Sequence, residues 1–114
     1  MYKPLHKDGD RMIQKLAEEF GFELEDAKKL VEVFCDSLEG YITALEEYVE
    51  SSDFIHIAST AHTIKGSASN MMLDEIVAVA QQIETDAIDQ DEAAIAENLQ
   101  DLKTIADQLI RDNK

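Results

Sequence analysis

The chain has 114 residues, 45% of them apolar, and carries a formal charge of −15 from 25 acidic and 10 basic side chains. That length holds one domain with a modest core and excludes two. The charge excludes nucleic acid and anionic membrane surfaces as partners, because phosphates are repelled and no Lys/Arg patch offsets the repulsion. No apolar run approaches the ~20 residues of a membrane span, and no signal peptide is visible. A single proline, at position 4, and four glycines leave long stretches unbroken. Tryptophan is absent and β-branched residues form no alternating runs, so the expected class is all-α. The one cysteine, Cys35, lies among Val31, Phe34 and Leu38. It reads as a buried thiol in a reducing cytoplasm, with no basic neighbour within a turn to activate it.

Residues 1–9 read as a tail, and Asp10 as the cap of a first helix over about 10–20, with Met12, Ile13, Leu16 and Phe20 on one face. Gly21 follows where a left-handed residue is expected, with Phe22 placed for the accompanying apolar contact. A long second helix is predicted over about 23–51. Leu24, Ala27, Val31, Phe34, Leu38, Tyr41, Leu45 and Tyr48 keep 3-4 spacing along it, and Leu30, Ile42 and Val49 widen the stripe to a bundle core. Ser51-Ser52-Asp53 breaks the pattern, with Ser52 as a suitable N-cap. The third helix, about 53–69, buries Phe54, Ile57, Ala58, Ala61, Ile64 and Ala68, and Asn70 ends it. The fourth, about 73–88, opens on Asp74 and Glu75 and turns Ile76, Val79, Ala80, Ile83 and Ala87 inward. Asp89 or Asp91 caps a fifth helix to about 112, with Ile95, Leu99, Leu102, Ile105 and Leu109 inward. Short connections make sequential helices antiparallel neighbours. The expected architecture is an antiparallel up-down four-helix bundle, 1–114 as a single domain, with the short first helix covering one end.

Several chemistries are missing. There is no glycine-rich phosphate loop, no H-E-x-x-H, no paired Cys-x-x-Cys and no serine-hydrolase motif. A di-iron bundle needs two Glu-x-x-His motifs, and only Asp53-x-x-His56 comes near. His56 and His62 stand about 240° apart around a helix, so they cannot share a metal on one face. The informative feature is the window from Phe54 to Leu73, which contains no Asp or Glu. The chain average would place roughly four there. Its only ionisable side chains are His56, His62 and Lys65.

His62 has Lys65 at i+3 and Gly66 at i+4, both over the same helix face. An unperturbed histidine is mostly neutral above pH 7 and so can act as a nucleophile. A phosphoryl group arriving on it brings nearly two negative charges, which a lysine can hold. Gly66 removes the side chain that would crowd that group, at about 0.5–1 kcal/mol of helix propensity. A histidine on a helix is most often only a surface residue, Lys at i+3 is common, and Gly66 alone would fit close helix packing. The acid-free window outweighs that reading, because a merely solvated face would resemble the rest of this acidic surface. A neutral patch of small residues centred on one imidazole has the character of a docking surface.

The string AHTIKGSASNMM, followed by Ile76, Ala80, Ile83 and Glu84, resembles the signature of histidine-containing phosphotransfer domains, A-H-x-L-K-G-S-x-x-x-L-G with apolar positions and L-E beyond. The resemblance covers essentially the whole chain. It implies that His62 is phosphorylated, that Lys65 stabilises the phosphoryl group, that Gly66 keeps access open, and that Glu84 accepts a hydrogen bond from Nδ1 and leaves Nε2 as the nucleophile. It further implies a phosphoryl carrier with no kinase activity, in the cytoplasm. The implied partners are a response-regulator receiver domain and a hybrid histidine kinase. No cofactor is implied on this chain, the Mg2+ belonging to the receiver. Ala58, Ser59, Ser69, Met71 and Met72 are the expected partner-binding residues. Met72 stands where the family usually has glycine, and Leu73 where a small residue is common, so the turn after the third helix departs from the pattern.

Two other readings stand beside the relay. One is a helical adaptor that binds a receiver or kinase without carrying phosphate. The other is a phosphoacceptor domain of the kind that begins chemotaxis-type kinases, which would head a longer chain. Met1 and the polar C-terminus favour a complete small protein, and one bundle accounts for the apolar stripes of a monomer.

Overall fold

The helices of this chain end where the backbone turns left-handed, and those ends set its topology. The computed structural model describes the backbone of residues 8–112 and side chains from Gln14 onward. It contains α1 (Asp8–Phe20), α2 (Leu24–Glu50), α3 (Phe54–Asn70), α4 (Asp74–Ile88) and α5 (Glu92–Asp112), with no strand among the described residues. The expected cap at Asp10 falls inside α1, which begins at Asp8. The side chains of Met12 and Ile13 lie outside the described residues.

Three non-glycine residues among those described take positive φ: Ser52 at 52°, Met72 at 59° and Gln90 at 57°. Each follows a helix and closes it in the same way. The amide of Asp53 donates to the Tyr48 carbonyl, that of Leu73 to Ala68, and that of Asp91 to Asp86, each at 2.9 Å. Ser52, Met72 and Gln90 themselves donate to Val49, Ser69 and Ala87 at 3.0–3.1 Å. These paired bonds satisfy the last carbonyls of α2, α3 and α4 in a Schellman motif. Met72 thus occupies the conformation that glycine usually supplies, at about 1–2 kcal/mol for a residue with a Cβ. Ser52 is not the cap of α3, because its backbone is committed to closing α2. The next residue, Asp53, takes that role, its carboxylate accepting from the His56 amide at 3.2 Å. Asp91 caps α5 by accepting from the Ala94 amide at 3.1 Å. Gly21, at φ 71°, ends α1, and the Phe20 and Phe22 rings meet across it at 5.7 Å.

The tight turns fold each helix back on its predecessor. Helix α3 packs on α2 and α4, and α5 packs on α4 and returns to α2, so four helices close a ring. Helix α1 lies against α2 and α5 at one end and buries Leu16 completely. The core runs through the inward stripes of all five helices, including Val31, Leu38, Leu45, Ile57, Ile64, Ile76, Ile83, Ile95 and Leu102. Leu24, Leu30 and Phe20 were expected on those stripes but are exposed. They stand at the α1–α2 end, where only the short α1 is available to cover them. Cys35 is buried, and burial with Asp36, Glu39 and Glu32 nearby pushes its thiol up to about 11.

Among the described residues the core holds one polar side chain that the apolar pattern did not reveal. Asp86 is buried on α4, with Oδ1 accepting from Gln82 Nε2 at 2.9 Å and Oδ2 from Asn98 Nδ2 at 2.7 Å. It joins α4 to α5 without a cation. The signal was there: Asp86 and Asn98 both stand at core positions of adjacent stripes. Asp86→Ala leaves the Asn98 amide without its acceptor and should cost about 1–3 kcal/mol. Urea unfolding would show this as a lower midpoint with unchanged slope.

Candidate functional site

The α3–α4 hairpin carries the site. Ala61, Ile64 and Ala68 of α3 meet Ile76, Ala80, Ile83 and Ala87 of α4 in the bundle interior, all at most 2% exposed. Alanine at these contacts lets helix axes approach closely. Side chains just outside the seam then reach across from one helix to the other.

His62 lies on that outer edge with its side chain 66% exposed. Its Nδ1 stands 3.2 Å from Glu84 Oε2 on α4. An ionised carboxylate only accepts, so this contact suits the tautomer in which Nδ1 carries the proton and Nε2 the lone pair. The second Glu84 oxygen, Oε1, makes no hydrogen bond but lies 3.3 Å from Lys65 Nζ. Lys65 Nζ donates to Gln81 Oε1 at 2.7 Å, and Gln81 Nε2 donates in turn to Thr85 Oγ1 at 3.2 Å. One carboxylate is therefore shared between an imidazole and an ammonium, and the ammonium also donates to a neutral amide.

Gly66 is exposed in mid-helix, and a Cβ built there meets nothing within 4 Å. Close packing inside this protein therefore does not require the glycine. The other histidine of the window has a structural task. His56 Nδ1 lies 2.7 Å from Asp53 Oδ2, and its ring stacks on Tyr48 at 5.0 Å, closing the first turn of α3.

The acid-free face extends beyond α3. Between Ile76 and Ile88 the only acids of α4 are Glu84, turned into the site, and Asp86, buried. Ser59, Gly66, Ser69, Gln81 and Thr85 are exposed on this neutral surface. Of the expected partner-binding residues, Ser59 and Ser69 are exposed, and Ala58 and Met72 are half-buried. Met71 is a correction: at 6% exposure it belongs to the core and only floors a groove. That groove, about 690 Å³, lies between the α1–α2 end and the end of α3, lined by Phe20, Phe22, Leu30, Val33, Ser69 and Met71. Sequence reasoning missed it because it assigned Phe20 and Leu30 to the core. It also missed Ile55 and Ile88, 80% and 71% exposed. Ile55 lies two turns before His62, and Ile88 one turn after Glu84, so both continue the stripes of the site. Among the described residues no cluster of His, Cys, Asp or Glu could hold a metal, and no helix is long and apolar enough to cross a membrane.

The model of the Hpt domain family matches residues 29–112, and the chain belongs to that family. Membership makes it a carrier in histidine phosphotransfer, within two-component signalling. The chain is similar to the phosphorelay protein LuxU of Vibrio vulnificus, in strains YJ016 and CMCP6 alike. Identity is 28% over 91 residues, covering 75% of this chain and 77% of the relative. No solved structure gives a significant match.

The open space over Gly66 makes a measurable statement about the free protein. Gly66→Ala should stabilise it by about 0.5–1 kcal/mol through helix propensity alone. Thermal unfolding checks this, and a loss of stability would mean that the glycine is needed for packing.

Proposed function

We propose that His62 is the phosphorylated residue, that it takes its phosphoryl group from an aspartyl phosphate on one receiver domain, and that it passes the group to a second. The observation that carries this is the Glu84 carboxylate on Nδ1, which leaves the outward Nε2 as the nucleophile. The Nε2 lone pair forms the P–N bond as the P–O bond to the aspartate breaks, and the bonding pair leaves with the carboxylate. The proton stays on Nδ1, hydrogen-bonded to the Glu84 carboxylate, whose negative charge stabilises the positive charge gained by the ring. Lys65 lies one turn away to offset charge on the transferred oxygens, and the space over Gly66 admits them. The chain contributes positioning and a nucleophile, with Mg2+ supplied by the receiver and no kinase activity of its own. The two receivers belong to a hybrid histidine kinase and a response regulator, and the compartment is the cytoplasm. The name of the similar Vibrio proteins, phosphorelay protein, supports the same placement.

The receiver covers the neutral face around His62, with Ser59, Ser69 and the half-buried Ala58 and Met72 inside the footprint. A specific interface buries about 800 Å² on each partner, enough to reach Ile55 and Ile88 as well. An adaptor that carried no phosphate would have no use for an imidazole oriented by a carboxylate with a lysine beside it.

His62→Gln should abolish labelling by a receiver charged with acetyl phosphate while leaving helicity and melting temperature nearly unchanged. Acid-labile, base-stable label persisting in that variant would mean that another residue is phosphorylated. Lys65→Ala should slow transfer by about ten- to a hundredfold, the loss of one charge-assisted contact, without abolishing binding to the receiver. Unchanged single-turnover rates would remove the lysine from the reaction.

A further inference from the structure

We propose that Gln81 is a positioning residue for phosphoryl transfer, a neutral holder that keeps the Lys65 ammonium poised between Glu84 and the phosphoryl group. This deepens the reading of His62 as the phosphorylated residue and rests on it.

Lys65 is not a free surface lysine. Its Nζ lies 2.7 Å from Gln81 Oε1 and 3.3 Å from Glu84 Oε1, so its stem, rooted on α3, is drawn toward α4. Both acceptors sit on one face of α4, three residues apart. An ammonium has no acceptor, so the Gln81 amide must turn its oxygen toward it. The amide nitrogen then meets Thr85 Oγ1 at 3.2 Å, which fixes that orientation. The chain Thr85–Gln81–Lys65 is thus ordered from one end to the other.

The two acceptors ask opposite things of the lysine. Glu84 is also the carboxylate that holds Nδ1 of His62. If Glu84 were the only acceptor in reach, the ammonium would close onto it as a full ion pair. That would draw the carboxylate from the imidazole and the ammonium from the side where the phosphoryl group arrives. Gln81 prevents the collapse by offering a second oxygen, 2.7 Å from Nζ. That oxygen is neutral, and a neutral acceptor binds an ammonium more weakly than an anion does. The incoming phosphoryl group, with nearly two negative charges, can therefore win the lysine from Gln81, whereas it would compete poorly with a second carboxylate. A carboxylate at 81 would also repel the group directly. In a chain with 25 acidic residues, an amide at this position is the choice that chemistry requires.

Gln81 is exposed and touches no core residue through the bonds described, so its replacement leaves the fold intact. The test compares single-turnover transfer from a phosphorylated receiver to wild type, Gln81→Met, Gln81→Glu, Lys65→Ala and the double variant Lys65→Ala/Gln81→Met. Gln81→Met should slow transfer about tenfold, and Gln81→Glu more than Gln81→Met, with melting temperatures close to wild type. In the Lys65→Ala background, Gln81→Met should have no further effect, because a residue that acts through the lysine has nothing left to position. The Lys65 Nζ resonance of 15N-lysine-labelled protein should show faster exchange with water in Gln81→Met. Equal slowing with and without Lys65 would overturn the proposal, as would wild-type rates in Gln81→Met or in Gln81→Glu. Absence of label on the wild-type protein would instead strike the phosphotransfer reading itself, so the two failures are distinct.

Discussion

The close packing of α3 on α4 is the constraint on which the site depends. It is the most extensive helix contact among the described residues, and alanines occupy much of its seam. Two helices held apart by larger side chains would leave His62 and Glu84 out of reach of each other. The seam also sets the register, because the turn at Met71–Leu73 lets α4 begin four residues after α3 ends. That turn is closed by a methionine in a left-handed conformation. The strain is confined to one residue and is offset by the two amides that satisfy the end of α3. The site is built on helix interiors, away from the mobile parts of a fold, as a group that must meet an incoming phosphorus atom requires.

Charge is distributed to serve the same end. A chain of net charge −15 would repel a phosphoryl group from most of its surface. Across α3 and the part of α4 from Ile76 onward the acids are absent, buried or used. Asp86 faces two amides in the interior, and Glu84 is divided between an imidazole and an ammonium. The remaining surface is neutral and small, with one lysine beside the histidine. Exposed apolar residues lie at both ends of this strip, at Ile55 and Ile88 and in the groove lined by Phe20 and Val33.

Most of the architecture was legible because it follows from periodicity. The 3-4 spacing of Val31, Phe34, Leu38 and Leu45, or of Ile95, Leu99 and Leu102, has only one way to be buried. Helix ends were less legible. Ser52 had the chemistry of an N-cap, but its backbone was needed to close the preceding helix, and side-chain chemistry says nothing of that competition. Leu24, Leu30 and Phe20 fitted the apolar stripe yet stay exposed, because periodicity tells which face is inward and not how far a neighbour extends to cover it. Met71 was misplaced for the converse reason: a residue just past a helix end has no periodic face, and the chain reversal turned it into the core.

The sequence by itself determined the fold class, the helix count and the local set His62, Lys65 and Gly66, because residues three and four apart on one helix are neighbours in any fold that keeps the helix. The pairing of His62 with Glu84 came from resemblance and acquired a distance only with the fold. Tertiary structure alone decided what lies across the seam: the carboxylate shared by His62 and Lys65, Gln81 on the lysine, Asp86 between Gln82 and Asn98, and the continuation of the neutral face onto α4. These contacts join residues 12 to 22 positions apart, apart from the Gln82 bond within α4. Their geometry depends on how closely and in what register two helices pack, which no single helix encodes.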